Sequence, residues 1–563
     1  MTMSRDVASC HNVKMQPGSA RNRRRSSASY LPRLECLEQR QLLSYNGPKL
    51  YGAAYSPTWP NWGTQVAQQL QDSDLFNVAF SGLWGTKNGV GRNDLQAISN
   101  SGFNVVRLYN WNPSRQGADG KLDAHLPFLN DAQRLGLKVI VPVSNYFLGN
   151  DQYSWRGQVP DPQFSFKSAP HDIQVDLEQF VASITKNGKL DPAVESISIG
   201  NEMDLGVDGN PSATAKLQRA QWWVVNLHRV LSEKFKNEVP AHFLTIPISN
   251  ADQSDVWAAG NSTGDNTATT LNDTQTDPNL PNFHVPWVTN VYSGLSVRIV
   301  NGTGTGESAV IASNTDTQLT LSTPWTTLPD TTSRYEIFNP SPVAWFQIFA
   351  HGVQANERVP IGTVPDGPAG RFSADVKALG SYPWYNTWFY NSLNMFQSGD
   401  QLKNTLIQYD TGQPSGPAWT NKWPNEKLTV PLLITELGTT RFNIGQNAQG
   451  TAIVQNQAQV AENVLKTSTN LMGYTIFEFN DEPNKNNYTG GPASEVFFGV
   501  TQYNIDQNQF RNGVIDAHLH TGETKRAGGV NPDYVYPVYK LIPVISNGAT
   551  VLSQLKSVFS QVK

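Results

Sequence analysis

Two carboxylates stand at the ends of two apolar runs that lie more than 200 residues apart. Ser196-Ile197-Ser198-Ile199 runs into Gly200-Asn201-Glu202, and Val430-Pro431-Leu432-Leu433-Ile434-Thr435 runs into Glu436-Leu437-Gly438. Read as buried strands, each run delivers one carboxyl group to its C-terminal end. A strand ending in Glu is a common accident, so neither run says much alone. Brought together, they supply a proton donor and acceptor on one side of a bond and a nucleophile, or a base for water, on the other. Asn201 adds an amide beside the first carboxyl.

Such residues converge only if the chain has the right architecture. Past residue 45, short β-rich apolar runs alternate with helical stretches, the signature of βα units and a parallel sheet. The runs are Lys49–Tyr55, Phe103–Tyr109, Leu137–Val143, Ser196–Ile199, Ala241–Ile248, Trp384–Leu393, Leu428–Thr435 and Leu471–Phe479. Helices are expected over 92–100, 125–135, 173–185, 213–235 and 343–354, with Gly102 and Gly136 closing the first two. Eight runs with helices between them imply a (β/α)8 TIM barrel, in which polar residues at the C-terminal strand ends form the site. Arg107 with Tyr109, Asn145 with Tyr146, Asn201 with Glu202, Asn250, Glu436, and Asp481 with Glu482 all fall at such ends. One stretch breaks the rhythm. Residues 292–338 turn to alternating Thr, Ser, Gly and Val and read as a small all-β insertion after the fifth strand, near the mouth of the barrel.

Composition narrows the chemistry. The 563-residue chain carries 15 Trp and 19 Tyr, flat surfaces that suit the C–H faces of sugar rings as well as a core. A net charge of −4 gives no reason to expect nucleic acid as a partner. Both cysteines, Cys10 and Cys36, precede the barrel, which excludes a disulfide framework, a Cys zinc site and a Cys nucleophile from its body. No apolar run approaches the ~18 residues of a membrane span, so a soluble body is expected; the sequence leaves the oligomeric state open, with a monomer the first expectation. His518 and His520 lack a third ligand at a recognised spacing, and Gly302-Thr303-Gly304-Thr305-Gly306 lacks the Lys and helix of a phosphate loop. No metal and no cofactor is called for.

In a barrel, strands four and seven face each other across the mouth, so Glu202 and Glu436 can meet. A pair of carboxyls in that setting cuts glycosidic bonds, and the Asn201 amide can donate to a sugar 2-hydroxyl. Gly200-Asn201-Glu202 and Thr435-Glu436-Leu437-Gly438 resemble the signature of clan A retaining glycoside hydrolases. Within that clan the chain is most similar to glycoside hydrolase family 17, the β-1,3-glucanases and related glucanosyltransferases. Val106-Arg107-Leu108-Tyr109 matches that family's second strand, and Glu482 with Lys485 its Glu-x-x-Lys pair on the last strand. The sequence departs from the family at Asn386-Thr387-Trp388-Phe389 and at Gly438-Thr439-Thr440.

The resemblance implies roles. Glu202 would be the acid/base and Glu436 the nucleophile of a retaining reaction on β-linked polysaccharide, β-1,3-glucan first among them. As acid, Glu202 must hold its proton near neutral pH, through burial and the neighbouring charge of Glu436. Arg107 would orient Glu436 and keep it ionised, the plain alternative being an ordinary salt bridge. Tyr390 would hydrogen-bond the nucleophile. Tyr109, Trp111, Trp388, Glu482 and Lys485 would line the substrate site, with Trp59, Trp62 and Trp84 as further sugar platforms or simple packing. Transfer to a second sugar instead of water, and a non-catalytic carbohydrate-binding barrel at the cell surface, remain open alternatives.

Residues 1–44 hold eight Lys or Arg against three Asp or Glu, a local +5 that leaves −9 on the rest. The segment Arg33–Ser44 resembles the LEPR-x-LL type found at the start of large exported bacterial proteins. An extracellular or cell-surface location follows as an expectation, with residues 1–44 a disordered targeting segment and 45–563 the catalytic barrel.

Overall fold

The computed structural model describes residues 45, 47–56, 84–85, 92–111, 125–149, 154–203, 211–249, 255–275, 286–287, 289–290, 292–293, 296–339, 379–411, 430–439, 448–480, 498–503, 513–516, 535–538, 541–546 and 548–562. Seven unbroken parallel strands form most of one sheet: Leu50–Ala54, Val105–Arg107, Lys138–Val143, Val194–Ile199, Asn391–Met395, Leu432–Leu437 and Leu471–Ile476. The last pairs with the first, Leu50 opposite Gly473 and Ala53 opposite Ile476. The remaining place is filled by two short pieces. Leu244–Thr245 pairs with the fourth strand and Pro247–Ile248 with Asn391–Met395. These are the halves of one fifth strand, interrupted at Ile246, and the sheet closes through them into a (β/α)8 barrel. The interruption has a local cause: Pro247 has no N–H to give a ladder, while its carbonyl accepts from the Met203 N–H at 3.0 Å.

Alternation along each strand sorts the core. Leu50, Val105, Ile140, Leu433, Met472 and Tyr390 meet inside the barrel. Their neighbours one position on, such as Tyr51, Val106, Val139, Ile434 and Leu471, face the surrounding helices. With both faces covered, the strands read as near-continuous apolar runs. Helices Asp94–Asn100, Leu126–Arg134, His171–Ser183 and Pro211–Phe235 separate the first five strands, and Gly399–Thr411 and Ala448–Leu465 separate the last three. Val551–Phe559 completes the shell. Phe559 stacks on Tyr51 at 5.1 Å and meets Phe103 at 5.1 Å and Tyr474 at 6.1 Å, sealing the seam between the first and eighth strands. Lys556 Nζ donates to the Asn100 carbonyl at 2.8 Å, satisfying the end of the first helix.

Two boundaries differ from expectation. The sixth strand is not Trp384–Leu393: Tyr385–Trp388 is a helical turn and the strand is Asn391–Met395. Aromatic residues suggested a strand where they pack as a turn, and the strand itself is polar in type. Its Asn and Ser side chains are buried because each finds a partner: Asn391 Nδ2 donates to Tyr409 Oη at 2.9 Å, and Ser392 Oγ bonds Thr245 Oγ1 at 2.7 Å.

The inserted β sheet also reaches further than 292–338. It has six antiparallel strands, ordered Thr270–Asn272, Gln318–Leu321, Ser308–Asn314, Ser296–Asn301, Arg334–Asn339 and Asp255–Asn261. The Ala, Gly and Asn content of 255–272 hides the first two strands in the sequence. Leu271, Trp287, Tyr292, Val297, Ile311 and Tyr335 belong to a separate apolar core of this sheet. Gly302 and Gly304, at φ +80° and +83°, form a turn against the 327–333 segment, as turn chemistry rather than a phosphate loop. The expected helix over 343–354 lies outside the described residues, as do residues 1–44. Among the described residues no helix is long and apolar enough to cross a membrane.

Candidate active site

The site is built where the second, fourth, sixth and seventh strands end. Arg107, the last residue of the second strand, is 1% exposed and carries the arrangement. Its Nη1 donates to Glu436 Oε1 at 2.6 Å and to Tyr109 Oη at 2.9 Å. Its Nη2 donates to Asn201 Oδ1 at 2.6 Å. Tyr109 Oη in turn donates to the same Glu436 oxygen at 2.9 Å. Thus one guanidinium ties the seventh-strand carboxylate to the amide that precedes Glu202. Burial opposes the Arg107 charge, yet Tyr109 and Glu436 outweigh it and its pKa stands above the usual arginine value. An ion pair this deep costs desolvation, and the extra hydrogen bonds from Tyr109 and to Asn201 are what offset it.

The fourth strand reaches the site through a sharp turn. Gly200 sits at φ +73°, where an added Cβ would lie 2.2 Å from Met203 Sδ and 2.9 Å from Leu148 Cδ1. Glu202 follows at φ +50°, a left-handed conformation that costs about 1–2 kcal/mol for an L-residue. The turn is held by Asn145, whose Oδ1 accepts from Asn201 N at 2.9 Å and whose Nδ2 donates to Asn201 O at 3.2 Å. Glu202 is half-buried while Glu436 is 4% exposed.

The sixth strand supplies residues that the sequence did not reveal. Asn394 Nδ2 donates to Glu202 Oε1 at 3.2 Å, and Thr435 Oγ1 donates to Asn394 Oδ1 at 3.0 Å. Asn394 lies opposite Glu436 in the strand register. The signal was present in Asn391-Ser392-Leu393-Asn394-Met395, a polar alternation unlike the other strands, but it was obscured by the aromatic cluster just before it. Phe477, past the eighth strand, packs edge-on to Tyr109 at 6.2 Å and against Phe498 at 5.1 Å, an aromatic wall beside the carboxylate.

Several expected substrate residues are elsewhere. Tyr390 is buried inside the barrel and hydrogen-bonds Ser196 Oγ at 2.8 Å, not Glu436. Burial pushes its phenol well up from the ordinary tyrosine value, so it stays neutral. Trp388 packs outside the barrel, edge-on to His228 at 4.5 Å, on the helix Pro211–Phe235. Trp111 is fully buried and donates Nε1 to Ser183 Oγ at 2.8 Å, and Trp84 is buried against Phe128. These rings are packing elements, because sequence spacing does not tell an inward from an outward aromatic. Glu482, Lys485, Trp59, Trp62, Asn250, His518 and His520 lie outside the described residues. Among the described residues no cluster of three or more His, Cys, Asp or Glu could hold a metal.

No family model matches the chain, and no curated protein matches it. Solved structures do. A family 1 β-glucosidase from Thermotoga maritima is similar at 11% identity and a TM-score of 0.37, over 82% of this chain and 94% of that one. The AHE enzyme from Alicyclobacillus herbarius gives 11% identity and a TM-score of 0.39, over 83% and 96%. β-glucuronidase 2 of Bacteroides uniformis gives 11% and 0.33, over 78% of this chain, which spans only 31% of that longer protein.

Proposed function

We propose that the chain is a retaining glycoside hydrolase of the clan A type, acting on β-linked polysaccharide and on β-1,3-glucan first. The observation that carries this reading is the Arg107 bridge, which joins Glu436 and Asn201 at the mouth of a (β/α)8 barrel with Glu202 next in the chain. Glu436 is the nucleophile: its carboxylate is paired with Arg107 and oriented by Tyr109. Glu202, half-buried where Glu436 is 4% exposed, is the acid/base.

In the first step Glu202 gives its proton to the glycosidic oxygen as the bond to the anomeric carbon breaks. The electron pair leaves with that oxygen and a Glu436 oxygen bonds the anomeric carbon. In the second, a water loses a proton to Glu202 while its oxygen displaces Glu436, so configuration is retained. Asn201, its Oδ1 held by Arg107, has its Nδ2 available for the sugar 2-hydroxyl, where a hydrogen bond strengthens in the transition state. The family 17 resemblance supports the β-1,3 linkage, and the N-terminal segment supports export to the cell surface or beyond.

A hydrolysis screen over β-1,3, β-1,4, β-1,6 and mannan-type glycans tests the reading. Release of sugar with retained configuration is expected on the β-1,3 substrate, with Glu202→Ala and Glu436→Ala each lowering turnover by about 10³-fold or more while the fold persists. Products longer than the substrate would assign transfer instead, and full turnover in either variant would sink the reading.

A further inference from the structure

We infer that Asn394 is a positioning residue that follows the protonation state of Glu202 by turning its side-chain amide over against Thr435. The inference rests on the reading of Glu202 as acid/base. Asn394 and Thr435 are both fully buried, on adjacent strands, and form a two-bond chain ending on Glu202. A buried amide holds a donor and an acceptor at nearly the same place, and a half-turn exchanges them. The arrangement seen, Nδ2 towards Glu202 and Oδ1 towards the Thr435 hydroxyl, fits an ionised Glu202, which can only accept. Once Glu202 carries a proton, the turned amide presents Oδ1 to it. Thr435 then accepts from Nδ2, because a hydroxyl serves in either sense.

The consequence bears on the first chemical step. As the proton leaves Glu202, negative charge grows on Oε1, and the amide turns back to bring its N–H to where that charge develops. No proton is lost or gained by the relay; it changes partners only. The charged or titratable groups described at this end of the barrel are Arg107 on the second strand, Tyr109 beyond it, Glu436 on the seventh and Glu478 beyond the eighth. The Asn394 amide, bonded to Glu202, is a group whose hydrogen bond can reverse in sense.

The test uses the full chain, a β-1,3-linked gluco-oligosaccharide and a dinitrophenyl β-glucoside, whose leaving group departs without protonation. Asn394→Leu is expected to move the alkaline limb of kcat/KM on the oligosaccharide up by about one pH unit, a tenfold gain in proton affinity. The plateau should fall about tenfold on the oligosaccharide and much less on the aryl glucoside. Should Asn394→Leu not fold, Thr435→Val is expected to lower kcat about tenfold with KM little changed, and Thr435→Ser to restore it. An alkaline limb that superimposes on the unmodified protein's, equal losses on the two substrates, or an unaffected Thr435→Val overturns the inference. Full oligosaccharide turnover by Glu202→Gln would instead overturn the underlying reading, so the two failures are distinct.

Discussion

Arg107 is the residue on which the site's parts converge, and its removal separates stability from chemistry. Arg107→Met keeps much of the volume but leaves Glu436 buried without its cation. Losing one partner of a buried pair costs about 3–5 kcal/mol, so the denaturant midpoint should fall, and turnover should drop by about 100-fold or more. Adding Glu436→Gln removes the stranded charge. The double variant is expected to regain much of the stability and none of the turnover, as read by chemical unfolding and a glycan assay. Recovery of both would make the ion pair merely structural. At this scale the sequence was informative where a polar residue ends a strongly apolar strand: Glu436, Asn201, Arg107 and Tyr109 are joined by hydrogen bonds, with Glu202 next in the chain to Asn201. Asn394 was obscured by the aromatic cluster just before it, because a strand made of Asn, Ser and Leu stands out only through the buried partners that three-dimensional packing provides. Tyr390, Trp388 and Trp111 were misread for the converse reason, since an aromatic side chain carries no mark of which side of a strand or helix it will bury.

The helix Ala448–Leu465 holds a buried carboxylate that the chemistry does not use. Glu462 accepts a hydrogen bond from Tyr51 Oη at 3.3 Å, between this helix and the first strand. Burial raises its pKa, outweighing the Tyr51 hydroxyl and the Lys466 and Lys49 charges that pull it down. A carboxyl whose folded pKa exceeds its unfolded one favours the folded state while protonated. That stabilisation is complete below the unfolded value, near 4.5, and is lost as pH rises through the raised folded value. Glu462→Gln keeps the shape and abolishes the titration. Its thermal midpoint should therefore exceed that of the unmodified protein at pH 8 by more than at pH 4, and equal differences at the two values would exclude Glu462 as the cause. The periodicity of 448–465 is helical in the sequence, but which of its polar residues faces inward depends on the register against the first and eighth strands.

At the scale of the whole molecule, the barrel was legible because eight βα units impose a repeating alternation that survives local irregularity. The irregularities lie where the chain deviates from that alternation, at the fifth strand split by Pro247 and at the inserted sheet. That sheet enters and leaves the chain at neighbouring points: Asp255 pairs with Asn339 at the ends of adjacent antiparallel strands. Directly paired residues have Cα atoms about 5 Å apart, a gap that a few residues of linker span. The sheet also has its own apolar core of Leu271, Trp287, Tyr292, Ile311 and Tyr335. Both features describe a module whose removal leaves the barrel's closure untouched, because the fifth and sixth barrel strands pair through Pro247–Ile248 and Ser392–Leu393, outside the inserted residues. Replacing 255–339 by a short Gly-Ser linker is therefore expected to leave a cooperatively unfolding barrel that still cleaves a short β-1,3-linked oligosaccharide. Circular dichroism melts and product chromatography read the two outcomes separately. A chain that melts without cooperativity would show that the inserted sheet is a structural part of the barrel. A cooperative barrel that has lost only long-chain glycan turnover would place the sheet's role in holding polymeric substrate.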